Sequence, residues 1–151
     1  TADNALLAMK NWTLEEAFRV FGAEKWDAYK TWSAVAENSI SVITLWNHLI
    51  STNLEERKLT YSCFEEEHIW WQSHAGNNQR KLHIQNALDL HEGYFSAIRV
   101  YVVDASIKPH SIKKQIPMLN YWWRIKDFNP VTGEFTAECD ASIKRGKAGS
   151  S

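Results

Sequence analysis

"LNYWWRIKDFNPVTGEFTAE", Leu119 to Glu138, decides the fold. Two runs rich in aromatic and apolar residues flank "NPVTG", where Pro130 and Gly133 are turn residues, so the stretch reads as a β-hairpin. Neighbouring side chains of a strand point to opposite faces, and Trp122 and Trp123 therefore cannot enter the same core. Alternation places Tyr121, Trp123, Ile125 and Asp127 on one face and Trp122, Arg124, Lys126 and Phe128 on the other. The first face is the better core. Charged side chains are rarely buried unpaired, so Arg124 and Lys126 should reach water with Trp122 beside them. An indole beside a guanidinium and an ammonium suits stacking on a base while neighbouring phosphates are neutralised. A surface strand whose indole is covered by another part of the domain would use the same residues.

Upstream of the hairpin, "YFSAIRVYVVDA" (Tyr94 to Ala105) is nearly continuously apolar and should be the central strand. Before it, "HAGNNQRKLHIQNALDLHEG" has helical period, with Arg80, Ile84, Ala87, Leu88 and His91 on one side and Gly93 ending it. "TWSAVAENSISVITLW" alternates around Glu37, Asn38 and Ser39 and reads as an earlier hairpin. "NWTLEEAFRVFG" is a helix with its own punctuation. Thr13 and Glu16 make a capping box, Trp12 and Ala17 a hydrophobic staple, and Gly22 a left-handed cap. Short helices are expected over Asn4–Lys10 and Ala23–Tyr29. "STNLEERKL" reads as a polar connection or short helix, "TYSCF" and "HIWWQS" as strands, and "SIKPHSIKKQIP" as a basic connection between prolines.

That order predicts a single α+β domain over residues 1–141, with 142–151 as a linker or tail. It should hold a strongly curved, mainly antiparallel sheet, N-terminal helices and one amphipathic helix. The pattern leaves open whether the sheet closes into a barrel.

The 151 residues are 44% hydrophobic and 23% charged, ordinary for a globular protein. No apolar run approaches the roughly 20 residues of a membrane span and no secretory pattern opens the chain, so a cytoplasmic location is expected. Cys63 and Cys139 form no CxxC pair and read as reduced core thiols. Two quantities are unusual. Tryptophan occurs 8 times, more than a core of this size needs. The net charge of −1 conceals a polarity: residues 1–93 carry 8 Lys/Arg against 13 Asp/Glu, and residues 94–151 carry 9 against 5. Any attraction for nucleic acid is therefore local, in the last third.

The candidate contacts follow. Lys108, Ser111 and Lys113 stand in the basic connection, where phosphate contact is a natural use. Asp104 ends the central strand, where an acid could accept from a base amino group. Arg80 stands near the start of the amphipathic helix, whose free N–H groups suit an anion unless Asn77 or Asn78 caps them. Trp32 and Trp46, on the first hairpin, are either core or the walls of an aromatic slot. Catalytic patterns are poor: there is no HxE…CxxC, HExxH, GxSxG or glycine-rich phosphate loop. Glu65–Glu67 with His68 lack any fixed ligand geometry, so neither a metal nor a cofactor is expected, and an isolated domain of this kind is not expected to be an enzyme.

Taken together, the aromatic hairpins, "VDASIKPHSIKKQIP" and "YWWRIKDFNPVTGEFTAE" resemble the PUA-like superfamily, which includes SRA-type readers attached to bacterial modification-dependent restriction nucleases. The resemblance spans about Thr31 to Cys139. It implies a curved barrel and a DNA partner carrying a methylated or otherwise modified base, with a nuclease domain in the same chain. Trp32, Trp46 and Trp122 would wall the pocket and Asp104 would read a base edge. Lys108, Ser111, Lys113, Arg124 and Arg80 would contact phosphate, with Lys126 beside them. The alternative is a protein-interaction module of a defence or anti-defence system, using exposed tryptophans as hot spots.

Overall fold

A computed structural model describes residues 12–23, 32–62, 75–104, 112–143 and 145. The expected short helices at Asn4–Lys10 and Ala23–Tyr29 and the strand "HIWWQS" lie outside the described residues, Ala23 excepted, as do Lys108 and Ser111.

The first helix, α1 (Leu14–Val20), carries the punctuation read from sequence. Thr13 Oγ1 accepts from the Glu16 N–H and the Glu16 carboxylate accepts from the Thr13 N–H, both at 3.1 Å. Its end is a Schellman motif: the Gly22 N–H donates to Arg19 O and the Ala23 N–H to Phe18 O, with Gly22 at φ 85°. The hairpin β1 (Ser33–Val35) and β2 (Ser41–Trp46) turns where expected, with Ser39 at φ 69°.

Residues 50–59 depart from expectation, while the strand expected at "TYSCF" is met over Thr60–Ser62. The polar run "STNLEERKL" is neither loop nor helix but part of a second hairpin, β3 (Ile50–Asn53) and β4 (Lys58–Ser62), turning through Leu54–Arg57. Its polarity reflects a strand pair with little covered surface: Ser51, Thr52, Asn53 and Thr60 are exposed, while Tyr61 is buried. Helix α2 (Ala75–His91) buries Asn77, Arg80, Ile84 and Ala87 and stops at Gly93, φ 90°. Strand β5 (Tyr94–Val102) follows. The basic connection is in part a strand, β6 (Ile112–Pro117), antiparallel to β5. The final hairpin is β7 (Trp123–Phe128) and β8 (Phe135–Asp140).

These eight strands make one mixed sheet in the order β1-β2-β5-β7-β8-β4-β3, with β6 beside β5. The fold is α+β, as expected, and the path is open: β1 and β3 end it, so the described strands do not close into a barrel. Pairing is antiparallel except between β2 and β5, which run parallel from Val42↔Ser96 to Trp46↔Val100. Parallel strands are normally covered on both faces, and this pair is. Val42, Ile98 and Val100 pack with Ala17 and Phe18 of α1. Ile43, Leu45, Phe95 and Ala97 pack with Ile84 and Ala87 of α2 in a larger cluster that continues through Trp123, Ile125, Phe135, Ala137 and Cys139. Strand β5 serves both layers and three neighbours: β2 along one edge, and β7 then β6 along the other.

The quoted hairpin obeys alternation only up to Ile125. The register shifts between Ile125 and Asp127, so Lys126 is the extra residue of a β-bulge. Beyond it the faces exchange: Phe128 packs against the larger core and Asp127 is exposed, the reverse of strict alternation. The turn of this hairpin docks on the start of α2. Asn77 Nδ2 donates to Thr132 O at 2.9 Å and Lys81 Nζ to Val131 O at 3.2 Å.

Candidate functional site

Trp123 is fully buried and Trp122 half-buried, so the two indoles part as alternation requires. Arg124 lies opposite Tyr94 across the β5–β7 pair, and its guanidinium sits 5.0 Å from the Tyr94 ring while Nε donates to Glu92 O at 2.9 Å. Tyr94 in turn meets Trp122 edge-on, ring centroids 6.4 Å apart at 75°. Trp122 carries a second cation. The Arg145 guanidinium lies 3.7 Å from the centre of its ring and 5.3 Å from that of Phe21. Arg145 Nη1 donates to Ser96 Oγ at 2.8 Å and its backbone N–H to Asn120 O at 2.6 Å.

The result is a ladder, Phe21–Arg145–Trp122–Tyr94–Arg124, on the sheet face that α1 covers only in part. Each cation–ring contact contributes about 0.5–2 kcal/mol depending on desolvation. Burial pulls the Arg145 pKa down, but a guanidinium stays cationic in a protein. Neither Arg124 nor Arg145 has a carboxylate within ion-pair distance among the described residues; the ion pairs there join Arg19 to Glu15 and Lys58 to Glu138. Rings and neutral oxygens hold both guanidiniums.

The bulge sets Lys126, exposed, beside a shallow depression of about 240 Å³ bordered by Ser51, Thr60, Ser62, Thr136 and Glu138. The acids around it are engaged. Glu138 holds Lys58 at 3.3 Å and raises its pKa, first by that hydrogen bond and then by its charge. Asp140 accepts from the Ser142 hydroxyl and N–H, which pull its pKa down. Asp127 Oδ2 accepts from Thr136 Oγ1 at 3.2 Å.

Other candidate residues are distributed differently from expectation. Arg80 is 3% exposed, with Trp32 and Phe135 rings 5.0 and 5.1 Å from its guanidinium and Asn77 Oδ1 at 3.2 Å. It is a core cation and not a phosphate contact, because the docked hairpin turn covers the helix start where an anion would have sat. Trp32 stands at a bend before β1 that turns its ring to Arg80. Trp46 packs against both core clusters. Trp32 faces Arg80, Trp46 leans on both core clusters and Trp122 lies under Arg145, so each ring is taken up by a different neighbour and the three show no common slot. Asp104 is exposed just past β5 and Lys113 is exposed on β6. Tyr94 and Arg145 were not among the sequence candidates. Tyr94 belongs to a run read as core, and Arg145 falls in the expected tail, where no periodicity ties it to Trp122.

A second cation–ring group sits near the far end of β5. Tyr101 lies between Arg99 (5.7 Å) and Lys114 (4.6 Å), and Arg99 Nε donates to Asn47 Oδ1 at 2.6 Å. The Cys139 thiol is buried and free, and burial, with Asp140 adding, pushes its pKa to about 11, as befits a core thiol. No cluster of metal-ligating side chains occurs among the described residues, and no described helix is long and apolar enough to cross a membrane.

Comparison of the chain with protein-family models, curated proteins and solved structures finds no match. The resemblance to PUA-like readers therefore rests on the sequence pattern alone.

Proposed function

We propose that the protein is a nucleic-acid-binding module that works through the ladder on β5 and β7. One observation carries the reading: Arg124 and Arg145 stand at two places in one ladder, separated by the Trp122 and Tyr94 rings, with no carboxylate in ion-pair distance among the described residues. Two guanidiniums presented this way can donate hydrogen bonds to phosphate oxygens, and release of the phosphate counterions makes the interaction favourable at low salt. Arg145 already lies over Trp122, so Trp122 serves as the support of a cation. Tyr94, 39% exposed, is the ring open to a base. Lys113 and Lys126, with Lys108 and Ser111 of the basic segment, extend the same chemistry.

The narrower reading, a reader of modified DNA bases within a restriction-type protein, needs an aromatic slot; Trp32, Trp46 and Trp122 do not supply one, and the open sheet lends no support to a PUA-like barrel. The interaction-module alternative is weaker for a similar reason: no tryptophan is among the exposed large apolar side chains described.

Fluorescence anisotropy with labelled single-stranded and duplex DNA tests the proposal. Binding should weaken steeply with salt, and Arg124→Ala should lower its log–log salt slope by about one phosphate contact, or 0.7–0.9. Tyr94→Ala should cost about 1–3 kcal/mol of affinity. Absence of binding to either nucleic acid at low salt sinks it.

A further inference from the structure

Resting on the nucleic-acid reading above, we infer that the ligand is an unpaired strand lying across the open sheet face, from the Tyr94–Arg124 pair to the depression at Lys126. Readers of duplex DNA place a helix or a two-stranded ribbon in a groove, and that element must carry cations. The described helices and hairpin turns do not. The outer side of α2 presents Asn78, Gln79, Leu82, Gln85, Asp89 and Leu90, and its Lys81 is tied to Val131 O. Helix α1 has Arg19, which is paired with Glu15. The β7–β8 turn, "NPVTG", has no basic residue, and the β3–β4 turn sets Glu55 and Glu56 beside Arg57.

Cations with no carboxylate partner stand instead on the flat of the sheet, where one strand with its bases turned down can meet both rings and charges, as single-strand binders require. Arg124 and Lys126 are two residues apart on β7, about 7 Å along it. Regular alternation would already put both on one face; the bulge sets Lys126 at the rim of the depression, where Ser51 and Thr60 hydroxyls are exposed to donate to phosphate oxygens. Beside this track on β8, Glu138 stands opposite Arg124 and is held by Lys58, and Asp140 lies toward the Trp122 end, held by Ser142.

The test compares a short single-stranded oligonucleotide with its duplex, using the whole chain and three variants. The unpaired strand should bind at least tenfold tighter than the duplex. Lys126→Ala should lower the salt slope for the single strand by about 0.7. Lys114→Ala removes the same charge from the Tyr101 group and should leave the slope unchanged; Thr60→Ala should weaken binding severalfold with the slope intact. Equal or tighter duplex binding overturns the inference, and so do equal effects of Lys126→Ala and Lys114→Ala, while salt-dependent binding still upholds the function proposed above. Failure of both oligonucleotides to bind overturns the two together.

Discussion

His83 shows how one side chain ties helix to sheet. Its Nδ1 lies 2.6 Å from Ser33 Oγ, its carbonyl accepts from Ser41 Oγ at 2.6 Å, and burial lowers its pKa below 6.5. The unfolded chain therefore binds this proton more readily than the folded one. The contribution of the neutral ring is present above pH 6.5 and is lost as pH falls from there through the folded pKa. Urea unfolding measured from pH 8 to pH 5 should show stability declining below about 6.5, with this group contributing at most about 1.4 kcal/mol per pH unit. His83→Gln should flatten that part of the profile; an unchanged profile would mean the ring titrates alike in both states. Gly133 is constrained as tightly. It has φ 89°, and a Cβ there would run into the Asn77 carboxamide that holds the hairpin turn on α2.

The hairpin β7–β8 is the element where pattern and outcome diverge. Period-two alternation holds at Trp123 and Ile125 and fails at Phe128, because one extra residue on one strand reverses every face after it. Phe128→Ala should therefore destabilise the fold by about 1–3 kcal/mol, scaled down from the cost at a fully buried site, whereas Asp127→Ala should stay within about 0.5 kcal/mol of the parent. Denaturation midpoints decide between this and strict alternation, which predicts the reverse order. A bulge is hard to see in sequence, since it depends on how two strands settle against each other and not on the residues of either. The cap signals of α1 behaved differently. Thr13, Glu16 and Gly22 act on backbone groups within a turn of themselves, and all three were legible.

At the scale of the whole molecule, the sheet is asymmetric. Strands β2 and β5 are covered by α1 on one face and α2 on the other, whereas β7, β8, β4 and β3 turn polar residues to the face opposite the α2-side core. Phe18 is fully buried on the α1 side against Val42, Ile98 and Val100, and Phe18→Ala should cost about 3–5 kcal/mol. Calorimetry would show this as a large drop in Tm, and a small one would mean that α1 contributes little to the core. The uncovered part of the sheet adjoins the ladder, so cover and candidate site are two results of the same uneven layering.

The amino-acid sequence by itself determined the local structure: the capped helix α1, the amphipathic α2, the apolar run of β5, both hairpins around Trp32–Trp46 and Leu119–Glu138, and the parting of Trp122 from Trp123. Each depends on contacts between residues close in the chain, which periodicity and turn chemistry record. Tertiary structure alone decided that β2 and β5 are parallel, that β3, the start of β4 and β6 are strands, that Arg80 is enclosed by two rings, and that Arg145 lies over Trp122. These depend on partners many residues apart, and a hydrogen-bonding edge or a ring face accepts whichever distant neighbour the packing brings to it.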